Sequence, residues 1–145
     1  MSTPRIVVDT SVLVRYLIRP SAAIAELIEH RWLAGDVQMV TAPELIQELE
    51  DVLRRERMRQ FVQPEEGQIL LTAIRRLAEC LPSLGPVQAY TRDPKDDKFV
   101  ACALAAHAGD LATLDKDLLV LQALGDVRMV TPYTLIQELY DPRQN

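Results

Sequence analysis

Apolar positions along the chain form two alternating kinds of run. The first kind is short and continuous. Ile6-Val7-Val8 carries no polar alternation, as expected of a strand covered on both faces, and it stops abruptly at Asp9-Thr10-Ser11. Runs over 37–40, 111–114 and 127–130 read as further strands. The second kind has helical spacing: residues 22–34, closed by Gly35; 43–55; roughly 65–79; and 94–108, closed by Gly109. Strands separated by helices of this length predict parallel βαβ units, and so an α/β sheet with helices on both faces. Residues 80–92 contain Pro82, Gly85 and Pro86, which break any long element, although a short strand there would complete the sheet. Met39-Val40-Thr41 through Leu49 and Met129-Val130-Thr131 through Leu139 resemble each other locally, one strand, cap and helix solution used twice.

Composition narrows the class. A chain of 145 residues with 48% hydrophobic and 26% charged residues predicts one soluble domain over 1–145. Its apolar runs are far shorter than the roughly 18 residues of a membrane span. The N-terminal apolar stretch is interrupted by Asp9 and Arg15 and does not read as a signal peptide. Cys80 and Cys102 lack the spacing of a zinc or redox motif and read as reduced thiols, so the expected location is cytoplasmic. The formal charge of -5 argues against a protein that grips nucleic acid by bulk positive charge.

Candidate chemistry is carboxylate chemistry. In an open α/β sheet, side chains just past the carboxyl ends of the strands converge on one crevice. Asp9 and Asp115 stand at such ends, Glu48 lies on the helix after the second strand, and Asp96 and Asp97 open the helix at Pro94. Each acid also has a structural explanation. Asp9 could cap the next helix, Asp93 is well placed as an N-cap before Pro94, and Asp96 or Asp97 complements a helix dipole. Glu44 fits a Thr41-x-x-Glu44 capping box. Glu48 borders the stripe of Leu45, Ile46, Leu49, Val52 and Leu53, but Glu50 borders its other edge, so periodicity favours neither. His30 and His107 lie on helices away from the strand ends. An all-carboxylate cluster suits a hard divalent cation, Mg²⁺ or Mn²⁺, rather than zinc. Phosphodiester hydrolysis is the natural chemistry of such a centre.

At four places the sequence resembles PIN-domain nucleases: residues 6–14 from Ile6 to Val14, 43–49 from Pro43 to Leu49, 93–99 from Asp93 to Phe99, and 112–119 from Ala112 to Leu119. The motifs occur in the family's order. The resemblance implies a three-layer α/β/α sandwich with a central mostly parallel sheet, and a metal-dependent ribonuclease leaving 5′-phosphate and 3′-hydroxyl ends. It assigns Asp9, Glu48, Asp96 and Asp115 as catalytic and metal-holding residues for one or two ions, with Ser11, Asp97, Thr113 and Asp117 as supporting residues. Many short members resembling this chain are VapC-type toxins, which implies an RNA substrate, an antitoxin partner and a homodimer or higher oligomer.

Substrate grip must then come from local positive charge. Arg54 and Arg55 lie at the end of the Glu48 helix, with Arg57 and Arg59 beyond, and Arg15 and Arg19 follow the Asp9 turn. They can track phosphates or simply complement helix C-termini. Two other readings compete. A receiver-type phosphoacceptor domain would want paired acids after the first strand, where a single Asp9 stands. A catalytically silent PIN-like binding module would not need four converging carboxylates.

Overall fold

The computed structural model describes residues 3–139. Strand β1 (Arg5–Val8) enters helix α1 (Thr10–Ile18) through Asp9, and α2 (Ala22–Ala25) continues as a π-helical stretch over Glu26–Trp32. Strand β2 (Gln38–Thr41) leads into α3 (Pro43–Arg54), a 3₁₀ turn at Glu56–Gln60, α4 (Pro64–Leu77) and the two-residue strand β3 (Glu79–Cys80). A 3₁₀ turn at Pro94–Asp96 opens α5 (Asp97–Ala106). Then follow β4 (Asp110–Ala112), α6 (Lys116–Leu119), β5 (Ala123–Leu124), β6 (Val127–Val130) and α7 (Pro132–Leu139).

The sheet has the order β3-β2-β1-β4-β6-β5, parallel throughout except for the antiparallel edge strand β5. Alternation along β1 sends Ile6 and Val8 to one face and Val7 to the other. The first face is covered by α1, α2, α4 and α7 through Leu13, Leu27, Leu71 and Ile136, the second by α5 and α6 through Phe99, Val100 and Leu118. Helix α3 spans both, with Leu49 in one core and Leu45 in the other. This is the expected three-layer α/β/α sandwich.

The chain builds outward from β1 to β2 and β3, then returns to the opposite side of β1 with β4. That reversal is the topological switch point, where a crevice opens beyond the carboxyl ends of the strands. Asp9 follows β1 and Asp115 follows β4, so the two acids flank it.

Several expectations need adjustment. The segment predicted as a helix over 22–34 is α-helical only to Ala25 before it widens into the π-helical stretch, with Trp32 buried in the first core. Helix α5 is closed by His107 in the left-handed region (φ 53°), not by Gly109. The Thr41 capping box is absent: Ala42 is the N-cap of α3. Glu44 instead accepts from Ser83 Oγ and the Leu84 N–H, both at 2.8 Å, pinning the connection after β3.

Candidate active site

Asp9 is held from every side. Its N–H donates to the Ala112 carbonyl at 3.1 Å, fastening the end of β1 to the end of β4. Its carboxylate is 3% exposed. One oxygen accepts from Ser11 Oγ at 2.6 Å and from the Val12 N–H at 3.2 Å, capping α1, and the other accepts from Thr113 Oγ1. The Ser11 and Thr113 hydroxyls accept in turn from the N–H groups of Leu114 (3.2 Å) and Asp115 (2.9 Å). The loop after β4 is thereby built onto the Asp9 carboxylate. Asp115 caps α6, accepting from the Asp117 N–H at 2.8 Å.

Asp96 arrives from the opposite layer. Asp93 caps the 3₁₀ turn by accepting from the Lys95 N–H at 3.0 Å, and the turn delivers Asp96 to the mouth of α5 with 8% of it exposed. The Asp96 Oδ2 atom is buried with no hydrogen-bond partner. Burial, followed by the neighbouring carboxyl of Asp115 and the charges of Asp93 and Asp9, pushes Asp96 up to about 7. Burial also pushes Asp9 up to about 6, against the opposing hydrogen bonds from Ser11 and Thr113, with the charge of Asp115 adding to the rise. Asp93, Asp96 and Asp117 each present a carboxylate oxygen, and these oxygens lie within 4.8 Å of one another. Among the described residues, none of Asp9, Asp93, Asp96, Asp115 and Asp117 has a Lys or Arg partner.

Glu48 sits in different company. One of its oxygens accepts from Thr10 Oγ1, next in the chain to Asp9, and the other from Lys98 Nζ at 2.6 Å. Lys98 Nζ also donates to the Lys95 carbonyl at 3.0 Å. Glu48 thus borders the acid cluster with its charge already compensated. Asp97 is buried but points to the preceding connection, accepting from the N–H groups of Tyr90 (2.9 Å) and Thr91 (2.8 Å) and from Thr91 Oγ1 (3.0 Å). Burial alone would raise its pKa, yet these hydrogen bonds hold it below the usual carboxylate range.

The arginines divide in the same way. Arg15 Nε donates to the Arg19 carbonyl at 3.0 Å, closing α1, and Arg54 pairs with Glu50 at 3.7 Å. Arg55 lines an open groove of about 740 Å³ together with Lys95 and Lys98, but Glu44, Glu48 and Asp51 line it too. Sequence reasoning missed Asp93 as a member of the cluster because its capping role explains the residue locally. It also missed Lys98, although the Asp93-Pro94-Lys95-Asp96-Asp97-Lys98 string that carries it had been singled out.

The donor set fits a hard divalent cation. Its oxygens are all carboxylate, and one buried oxygen lacks any partner that the protein could supply. A family model described as PIN domain matches residues 5–117, and the chain belongs to this family. Two solved structures share the fold. VapC20 of Mycobacterium tuberculosis, a Sarcin-Ricin loop cleaving toxin, aligns with TM-score 0.52 at 17% identity over 85% of this chain and 98% of its own. The PIN domain endonuclease Utp24 aligns with TM-score 0.51 at 16% identity over 86% of this chain and 82% of its own. None of the curated proteins matches the sequence.

Proposed function

We propose that the protein is a ribonuclease that hydrolyses RNA phosphodiester bonds with Mg²⁺ or Mn²⁺ held at the β1/β4 switch point. The observation that carries this reading is the buried, unpartnered Asp96 oxygen among carboxylates that lack basic partners. Crowding such groups is unfavourable unless a cation compensates them. Asp9, Asp96 and Asp115 would hold the ion, and Glu48 would join them by exchanging its Lys98 partner for it. When bound, such an ion supplies Lewis acidity toward the phosphoryl group and makes water a nucleophile at neutral pH.

The chain's own contribution is orientation. Ser11, Thr113 and the Val12 N–H fix the Asp9 carboxylate, so little reorganisation remains when the ion enters. Thr10 fixes Glu48 in the same manner. The groove that leads away carries as many acids as bases, so affinity for a polyanion rests on the loaded centre more than on Arg54 or Arg55.

Incubation of labelled structured and single-stranded RNAs with Mn²⁺, Mg²⁺ or EDTA tests this. Chelator-sensitive cleavage supports the reading; cleavage that persists in EDTA, or none with either metal, overturns it. The likeness to VapC20 supports a toxin role with an antitoxin partner as a finer reading. It predicts growth arrest on expression that depends on Asp9. In keeping with an RNA substrate reached from solution, no described helix is long and apolar enough to cross a membrane.

A further inference from the structure

Of the acids in the crevice, Asp93 and Asp117 are the two that the nuclease reading leaves without a task. Asp93 spends one oxygen on the Lys95 N–H, and Asp117 is only half-buried. Both nevertheless bring a carboxylate oxygen to within 4.8 Å of Asp96 and of each other, from elements on opposite sides of the crevice: the turn before α5 and the first turn of α6. A local capping role explains Asp93 but not this convergence. A second observation is independent of the clustering: Asp96, more than nine-tenths buried, keeps Oδ2 without a partner.

Size decides what could fit. A Mg²⁺-type ion with oxygens at about 2.1 Å sets opposite ligands about 4.2 Å apart, so three oxygens spread over 4.8 Å need only small side-chain adjustments. On its other side, Asp96 lies against Asp115, with Asp9 close enough to feel its charge. Asp96 therefore stands between two groups of acids: Asp9 and Asp115 on one hand, Asp93 and Asp117 on the other.

We propose that Asp93, Asp96 and Asp117 form a second divalent-cation subsite, with Asp96 bridging it to the ion held by Asp9 and Asp115. This rests on the metal-site part of the reading above and extends it from an undefined ion number to a paired centre. Paired ions of this kind lie about 3.5–4 Å apart, a spacing that a single bridging carboxylate supports. The remaining protein ligands are few, so each ion keeps water positions open.

The test is Mn²⁺ binding, read by calorimetric stoichiometry and by electron paramagnetic resonance on the full-length protein without RNA. The wild type should take up two Mn²⁺ and show a broadened, spin-coupled signal. The Asp93→Ser/Asp117→Asn double variant should take up one and show the sharp six-line signal of an isolated ion. Serine preserves the cap that Asp93 provides, and thermal unfolding verifies that the variant is folded. A wild type that binds fewer than two ions, or a folded double variant that still binds two, overturns the proposal. RNA cleavage assayed in parallel keeps the two readings apart. Two coupled ions without cleavage refute the nuclease and spare the subsite, while cleavage by a protein that binds one ion does the reverse.

Discussion

Asp9, Asp93 and Asp115 each cap a helical turn, so the structural explanation of these acids and the functional one are properties of the same side chains. Capping fixes each carboxylate by a backbone N–H of its own element, which orients it without supplying a neutralising charge. That is what a preorganised cation site requires. Glu48 differs, because Lys98 already compensates it. Substituting Lys98→Gln should therefore tighten Mn²⁺ binding by about fivefold, equivalent to ~1 kcal/mol for a partly exposed ion pair, as measured by titration calorimetry. Weaker binding in that variant would show that Lys98 positions Glu48 rather than competing for it. Asp9 and Asp115 were legible in the sequence because an acid ending an apolar strand has few other uses. The company of Glu48 was not legible, since Thr10 and Lys98 reach it from distant parts of the chain.

Elements were legible where periodicity and breaker residues agree, as in β1, β2, α3 and α4. They were less so where hydrogen bonding alone defines them. The shift to π-helical bonding after Ala25 leaves the apolar spacing of Ile24, Leu27 and Ile28 intact, so the pattern reads as one continuous helix. Strand β3 has two residues, too few for any alternation, and Lys116–Leu119 is a single turn. The long connection from β3 to α5 carries little secondary structure and relies on two clasps, Glu44 on Ser83 and Leu84, and Asp97 on Tyr90 and Thr91. Asp97→Ala removes the acceptor of three hydrogen bonds and leaves buried donors exposed to loss. It should cost about 1–3 kcal/mol in urea unfolding and raise protease sensitivity near residue 90. An unchanged midpoint would assign the clasp no energetic role.

At the scale of the whole molecule, the formal charge of -5 changes meaning once the acids are placed. Each divalent cation removes two units of it, so RNA affinity should depend strongly on metal, and chelated protein should bind RNA poorly in an anisotropy titration. Stability should follow the same logic. Asp9 is raised from 3.8 to about 6 and Asp96 to about 7, so folding favours their protonated forms. Their penalty is absent below the unfolded pKa and grows as pH rises through the folded values. Metal-free protein should accordingly melt at a higher temperature near pH 5.5 than near pH 7.5, and saturating Mn²⁺ should raise the melting temperature at the higher pH. A melting temperature that is flat across this range and indifferent to Mn²⁺ would deny the cluster its cation. The central claim is tested most directly by comparing Mn²⁺-dependent cleavage of labelled RNA by the wild type and by Asp9→Asn, with thermal unfolding of both. The account predicts that Asp9→Asn is at least as stable as the wild type without metal, because it removes one charge from a crowded site, and that its cleavage falls to background. Full cleavage by a folded Asp9→Asn protein would contradict it.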